Sequence, residues 1–473
     1  MLSRREPEPG GVQRRRAAAC RCRHRGWARA RTGRPNRAID PMSELSAAEW
    51  ASCDVAIDGL EAMDEDQAYR AMDLLVAADT QAEVQEAVFF AVADLLNLEV
   101  DLLFFDTTST YFERDDEETG DDAFRCYGHS KDHRGDLPQI VIGLAVTKEG
   151  IPVRVWCWPG NTNDQAILPE VKDDIRGWRL GRIITVADRG FSSAANLAYL
   201  RRGGGQFIAG MRMRDGNPLV EQVLSRQGRY QQVKENLRVK EVHVDDTDVR
   251  FVICHNPEQA EHDRTQRVDA IAGLETELAR IKQAKQRDRK RKVGAKAKQR
   301  AEAAHLKAEC ALRDHPTLGR WLRQSPSGRL FIHRAKIKQE ERLDGKYLIA
   351  TSDPHISAED VALGYKNLLQ AERGFRDLKS TLELRPVFHR LEHRIPAHVL
   401  ICWLALLLIR AAERRTGLTW HRIATELGRV HAVALTGSAG TAVHTTPLTT
   451  TQADIYRDCQ IPAPPRITAL DPA

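Results

Sequence analysis

The stretch DLLFFDTTSTY, residues Asp101–Tyr111, is rich in aromatic and β-branched side chains and predicts a β-strand. Working outward from it, further strands and helices follow in the order β-β-β-α-β-α-β, which is typical of an α/β fold. The predicted strands after the first are Gln139–Thr147, Ile151–Trp158, Arg182–Ala187 and Gln206–Gly210, and the predicted helices are Gln165–Asp174 and Ser193–Arg202.

The regions on either side of this core differ from it in pattern. Apolar residues at helical spacing in Gln67–Ala78 and Gln81–Leu96 predict helices before the core. Residues 211–350 interrupt the strand–helix order with strand-like pieces and a long polar helical stretch at about 262–313. The predicted organisation is a disordered Arg-rich segment at 1–42, a helical region at 43–99, the first part of the core at 100–210, an insertion at 211–350, the second part of the core at 351–430 and a loop-like C-terminal tail at 431–473.

Charge is distributed unevenly along the 473 residues, whose net charge is +5. Residues 1–41 hold twelve Arg and three acidic residues, and the rest of the chain holds 59 basic and 63 acidic residues. Residues 280–300 form a second basic segment, with eleven Lys or Arg and Asp288 as the one acid. The first segment is either a DNA-binding arm or the product of a misassigned start before Met42. The second basic segment is either a surface that binds along a phosphate backbone or a solvated antiparallel helical arm.

Composition excludes several classes of protein. The nine cysteines are scattered and form no C-x-x-C pair, which argues against a zinc module and a disulfide framework and favours a reduced cytoplasm. The longest apolar run, HVLICWLALLLI at His398–Ile409, is shorter than the ~20 residues that span a bilayer. We therefore expect a buried helix there and no membrane partner.

Three carboxylates are candidates for a metal site. Asp106 and Asp188 each follow an apolar run, where a buried charge is costly unless it is paired or binds a metal. Glu372 lies on a predicted helix. Together they could hold two Mg²⁺ ions, which prefer carboxylate, water and phosphate oxygens. Taken alone, an Asp at a strand end is more often a cap or turn residue, so the residues themselves leave both interpretations open.

The segment GYKNLLQAERGFRDLKSTLELRPVFHR, Gly364–Arg390, resembles the Tyr-Arg-Glu-Lys signature of bacterial insertion-sequence transposases of the insertion-sequence-four group. Tyr365, Glu372 and Lys379 have the required spacing, whereas Leu368 stands where the family has Arg. The stretches FFDTTSTYFE and TVADRGFSS resemble the first and second Asp motifs of the same DDE transposases. Two stretches between them, GHSKDHRGDLPQIVIGL and PGNTND, are also similar to the group. The resemblance covers roughly residues 65–460.

The resemblance implies a ribonuclease-H-like mixed-sheet core with a large α+β insertion between the fifth strand and the helix of Glu372. It also implies cut-and-paste DNA transposition, in which a DDE site of Asp106, Asp188 and Glu372 binds two Mg²⁺ or Mn²⁺ ions, cleaves a phosphodiester and transfers the strand. The expected partners are double-stranded DNA and a second copy of the chain, with which it forms a homodimer in the DNA complex. The DNA comprises the terminal inverted repeats of the element and the target. The expected location is the bacterial cytoplasm, at the nucleoid when bound to DNA.

The resemblance also places phosphate contacts near the site. It assigns them to Tyr365 and Lys379, which with Glu372 are spaced seven residues apart and so share one face of a continuous helix. Leu368 lacks the charge of the family's Arg, and Arg373 or Arg376 could supply that charge from another turn. Arg189, next to Asp188, could also meet a phosphate or pair with a surface carboxylate. Two alternatives remain open, a DNA-binding remnant that no longer transposes and a metal-dependent nuclease without strand transfer.

Overall fold

The computed structural model describes residues 36–55, 63–76, 80–113, 118, 120, 123–178, 180–181, 183–245, 247–291, 294–326, 328–385, 387, 389 and 391–472. Most of the segment predicted to be disordered, residues 1–35, lies outside this part of the chain. For residues 36–39 that prediction was wrong, because they form a helical turn in which Ala38 is buried. The indole Nε1 of Trp420 donates a 2.9 Å hydrogen bond to the Ala38 carbonyl oxygen and anchors the turn.

The chain divides into two compact units, with Ile208–Leu363 in the second and the preceding and following residues in the first. The first unit begins with three helices, α1 (Glu44–Cys53), α2 (Glu65–Val76) and α3 (Thr80–Leu96). Helix α2 buries Ala68, Ala71, Met72 and Leu75, which is the i, i+3, i+4, i+7 pattern of one helix face. The two helices predicted from apolar spacing in this region are therefore confirmed.

The core of the first unit is a mixed sheet. Its elements are β1 (Leu102–Tyr111), β2 (Gln139–Thr147), β3 (Pro152–Pro159), α4 (Asp164–Gly177), β4 (Ile184–Ala187), α5 (Ala194–Arg201) and β5 (Gln206–Met211), in which the chain passes into the second unit. The predicted element order is thus confirmed. The strand order is β3-β2-β1-β4, with β1 antiparallel to β2 and parallel to β4. Every residue of β2 is buried, as expected of a near-continuous apolar run covered on both faces.

The second unit contains the rest of β5 and a longer series of elements. They are α6 (Pro218–Ser225), β6 (Gln231–Lys234), β7 (Leu237–Val242), β8 (Arg250–His255), α7 (Pro257–Lys290), α8 (Ala295–Arg313), β9 (Leu322–Gln324), β10 (Leu330–Ile332), α9 (Arg334–Glu341) and β11 (Lys346–Thr351). The strands pair in the order β5-β11-β8-β7-β6, while β9 and β10 form a separate hairpin. The polar helical stretch forms the antiparallel pair α7–α8, because Lys285 pairs with Glu309 and Asp288 with His305.

The chain returns to the first unit within α10 (Ala358–Lys366) and continues through α11 (Leu369–Ser380) and α12 (Arg394–Thr416). Helix α11 packs on β1 and β2, and a methyl group added at Gly374 would come within 2.7 Å of Leu144 Cδ2. Helix α12 contains the apolar run and is long and apolar enough to cross a membrane by length and composition. Its most apolar window is 72% buried within the protein, as the sequence predicted for a core helix.

The C-terminal residues hold more structure than predicted. After α13 (Trp420–Leu427), strands β12 (Ala432–Gly437), β13 (Gly440–Thr445) and β14 (Ile467–Pro472) form an antiparallel sheet, and α14 (Thr450–Asp458) lies between the last two strands in sequence. The expectation of a loop-like tail was wrong. Strands β12 and β14 are exposed along their whole length, so no alternation of apolar and polar residues marks them in the sequence.

Candidate active site

Asp106 and Asp188 lie side by side in the first unit. Strands β1 and β4 are parallel and pair up to Phe105 and Ala187, so the next position along each strand is an aspartate. Strand β4 ends there, and Asp188 begins a short 3₁₀ turn over Arg189–Phe191, whereas β1 continues to Tyr111. This register places the two carboxylates next to each other in the sheet.

Asp106 lies on the face of the sheet that α11 covers. It pairs directly with Leu144 of β2, and side chains that are directly opposite each other in an antiparallel pair lie on the same face. Leu144 is the side chain against which Gly374 of α11 packs. Glu372, one half-turn before Gly374 in the first turn of α11, therefore belongs to a helix that covers the same face as Asp106.

Glu372 does not join the two aspartates in this structure. Its side chain is exposed and makes no hydrogen bond or ion pair with any described residue. Within the described ranges, no group of three or more His, Cys, Asp and Glu side chains is close enough to hold a metal ion. The structure thus brings together two of the three carboxylates and leaves the third free on the neighbouring helix.

Burial has the largest effect on the pKa of the Asp106 carboxyl. It raises the pKa of the carboxyl to about 6, against the opposing effects of Lys131 and of a 2.7 Å hydrogen bond from the Thr107 backbone N–H. The nearby carboxylates of Asp188 and Asp164 raise this pKa further. A carboxyl that resists ionisation beside other carboxylates favours a divalent cation, because the cation offsets the repulsion between the negative charges.

Lys131 is a positively charged side chain close to the carboxylates of Asp106 and Asp164. Its Nζ donates to the Thr107 carbonyl oxygen at 2.8 Å and lies 3.2 Å from Asp164 Oδ2. The hydroxyl of Thr107 donates to Asp164 Oδ1 at 2.8 Å. Sequence reasoning did not assign Asp164 to the site. Its signal was the PGNTND stretch, where Asn163 caps α4 and places Asp164 in the first turn.

Tyr365 lies in α10, before the break between α10 and α11, and its side chain contacts Asp188. Its hydroxyl donates to Asp188 Oδ1 at 2.8 Å. The expectation of one continuous helix through Tyr365, Glu372 and Lys379 was wrong, because α10 ends at Lys366 and α11 begins at Leu369. The N–H groups of Asn367 and Leu368 donate to the carbonyl oxygens three residues back, of Gly364 and Tyr365, so the chain makes a 3₁₀-type turn between α10 and α11.

The predicted DNA-contacting cations have different surroundings. Arg189 and Arg376 are exposed, whereas the Lys379 side chain is 12% exposed. Lys379 Nζ donates to Asp132 Oδ1 at 2.7 Å, and Arg385 Nη1 lies 2.7 Å from the same oxygen. Burial lowers the pKa of Lys379. Sequence reasoning missed Asp132 and Arg385, whose contact across more than 240 residues of chain has no local sequence signal.

The raised pKa of Asp106 predicts the pH dependence of the metal-free protein. A carboxyl whose folded-state pKa is about 6 rather than 3.8 stabilises the fold below pH 4, and this contribution is lost as the pH rises through 6. Urea unfolding of wild type and Asp106→Asn should therefore show a stability difference that shifts in favour of the variant between pH 4 and pH 7. Identical pH profiles for the two proteins would contradict this expectation, and saturating Mg²⁺ should suppress the loss in wild type.

Two carboxylates side by side at neighbouring parallel strands offer oxygen ligands of the kind that hard divalent cations prefer. The family model of the transposase DDE domain matches residues 101–408, so the chain belongs to this transposase family. The chain is also similar to a piggyBac transposase in the cryo-EM structure of its synaptic complex with hairpin DNA, at 10% identity and a TM-score of 0.36, over 92% of this chain and 68% of that one. No curated protein matches the chain.

Proposed function

We propose that this chain is the transposase of a bacterial insertion sequence, and that it cleaves DNA at the element ends and joins them to a target. Membership of the transposase DDE family supports a DNA-acting transposase. The observation that carries the active-site assignment is the register of β1 and β4, which sets Asp106 beside Asp188. The Tyr365, Glu372 and Lys379 spacing supports the insertion-sequence-four group.

We propose a ribonuclease-H-like core with residues 211–350 as its insertion. The strand order β3-β2-β1-β4, with β1 antiparallel to β2 and parallel to β4, supports this architecture, as does the packing of α11 on β1 and β2. The compactness of Ile208–Leu363 supports an inserted unit.

Asp106, Asp188 and Glu372 would hold Mg²⁺ or Mn²⁺, as two ions. The oxygen donors of three carboxylates suit hard divalent cations, and a bound pair supplies Lewis-acid stabilisation for phosphodiester displacement. Without cations, the negative charges of Asp106 and Asp188 repel a third carboxylate. Glu372 is exposed and unpaired within the described residues, so it is free to turn toward the aspartates when positive charge lowers that repulsion.

The residues around the carboxylates would orient DNA. Arg189 and Arg376 are exposed and can meet backbone phosphates directly. Tyr365 and Lys379 already have acidic partners, Asp188 and Asp132, so each would exchange a carboxylate oxygen for a phosphate oxygen when DNA binds. Tyr365 would also keep Asp188 oriented until then.

The test is incubation of the protein with a plasmid that carries the flanking element ends and a target plasmid, in Mg²⁺ or Mn²⁺. Excised element and joined products are expected, from a dimer bound to both ends. Cleavage without joining would instead support a metal-dependent nuclease, and DNA binding without cleavage would support a remnant. Either of these two results would overturn the proposed transposition.

A further inference from the structure

We propose that the tip of the α7–α8 hairpin binds the phosphate backbone of double-stranded DNA, independently of sequence. The proposal rests on the DNA-acting function proposed above and adds a second contact surface, in the second unit. We define the hairpin tip as the described residues between Ile281 and His305 of this helix pair.

The hairpin tip extends beyond the hydrophobic core of its unit. That core is formed by Leu274, Trp321, Leu322, Leu330 and Ile337. The last buried residue of α7 is Ile281, and α8 has no buried residue among those described. From Ile281 to the end of α7 at Lys290 the helix rises about 14 Å. This length is not required to cover the core.

The seam, by which we mean the contact between α7 and α8, changes from apolar to charged along this length. Near the base, α7 buries Leu274 and Ile281, whereas nearer the tip Lys285 pairs with Glu309 at 2.7 Å and Asp288 with His305 at 3.1 Å. A cavity of about 430 Å³ lies between the helices among these polar side chains. Ala301 and Leu306 also line this cavity, but ionisable side chains outnumber them, which favours a charged ligand over the apolar anchors that dominate protein–protein interfaces.

The positive charge of the hairpin tip is largely uncompensated. The tip contains two acidic residues: Asp288 is engaged with His305 in the seam, and Glu302 is exposed without an ion pair among the described residues. Seven exposed basic residues have no ion pair with any carboxylate in the described part of the chain: Lys282, Arg289, Lys290, Arg291, Lys296, Lys298 and Arg300. A surface on which seven such cations face a single exposed acid attracts a polyanion.

Some of these positive charges destabilise helix α8. Helix α8 begins after Gly294, whose lack of a side chain leaves the N-terminus without a side-chain cap, and its first turn has no acidic residue but contains Lys296. Positive side chains at a helix N-terminus oppose the helix dipole and destabilise the helix. These positive side chains face solvent and do not stabilise the fold. Binding of an anion would explain why they are present.

The ligand that fits is duplex DNA. Its phosphates are regularly spaced at one charge per about 1.7 Å of helix axis, so a basic surface about 14 Å long spans several of them. Contacts to phosphates carry no sequence information, and the tip would therefore hold flanking or target DNA whatever its sequence.

The test compares wild type with R289Q/K290Q/K296Q/K298Q, because Gln keeps the helix propensity of Lys and Arg. The matched control is R229Q/K234Q/K338Q/R342Q, which removes four exposed basic residues elsewhere in the same unit. Binding to a random-sequence duplex is measured in EDTA, so that no DNA is cleaved, over about 50 to 200 mM salt. Thermal unfolding should show no loss of stability in either variant, and the tip variant should be at least as stable as wild type because it lacks the cations at the start of α8.

The tip variant should bind at least tenfold more weakly at the lowest salt, and its salt slope should fall by about 2 to 3.6, since each phosphate contact contributes about 0.9. The control should keep the wild-type slope. Equal slopes for tip variant and wild type overturn the hairpin proposal and leave the transposase function standing. An equal loss in the control overturns the localisation of the surface to the tip. A wild type that does not bind duplex DNA overturns both proposals.

Discussion

Replacement of Asp188 by Asn should lower the rate of DNA cleavage by about a thousandfold or more while DNA binding is retained. The carboxylate adjoins Asp106 across the β1–β4 register, and Asn keeps its shape but removes a charged metal ligand. Loss of such a ligand removes several kcal/mol of transition-state stabilisation, and each 1.36 kcal/mol is tenfold in rate. The measurement is single-turnover cleavage of an element-end duplex in Mg²⁺, with binding measured separately in EDTA.

Asp173→Asn is the matched control, because it neutralises an exposed carboxylate of α4 in the same unit. It should cleave at close to the wild-type rate. Asp106→Asn should behave like Asp188→Asn, since the two aspartates occupy equivalent positions on paired strands. Wild-type cleavage by either strand variant would contradict the assignment of these residues to the metal site.

Replacement of Asp132 by Asn should destabilise the first unit by about 3 kcal/mol. The Asp132 side chain is 8% exposed and pairs with Lys379, itself 12% exposed, and with Arg385. Removing one charge of a buried ion pair leaves its partner charged and desolvated, which costs far more than the pair contributes by itself. The measurement is the midpoint of urea unfolding, followed by a signal from the tryptophans of the first unit.

Asp136→Asn provides the comparison, because it breaks an ion pair with Arg134 in the same loop where both side chains are exposed. Exposed pairs contribute at most about 1 kcal/mol, so this variant should unfold close to wild type. If Asp132→Asn is no less stable than Asp136→Asn, the buried pair does not hold Lys379 and Arg385 in place.

The sequence predicted the features that depend on local pattern. The apolar runs before Asp106 and Asp188 identified two core strands, and the parallel register of those strands places the two aspartates together. The apolar run in α12 identified a core helix because nearly every position in it is buried. Such patterns are readable because burial of a whole strand or helix face dictates residue type along its length.

The features that the sequence did not predict depend on distant contacts or on small changes in backbone. Asp132 contacts Lys379 only because the fold brings the loop before β2 against α11. The break at Asn367–Leu368 replaces a few α-helical hydrogen bonds by 3₁₀ bonds, and neither of these two residues is the Gly or Pro that usually marks a break. Strands β12 and β14 are exposed and carry no apolar alternation.

The most direct test of the active-site assignment is the cleavage rate of Glu372→Gln, since Glu372 is the one proposed ligand that lies apart from the other two in the structure. The control is Glu359→Gln, an exposed glutamate in the first turn of α10. The proposed metal site predicts that Glu372→Gln loses element-end cleavage in both Mg²⁺ and Mn²⁺ by about a thousandfold or more and keeps DNA binding, whereas Glu359→Gln keeps both cleavage and DNA binding at the wild-type level. Cleavage by Glu372→Gln at the wild-type rate would contradict the three-carboxylate site.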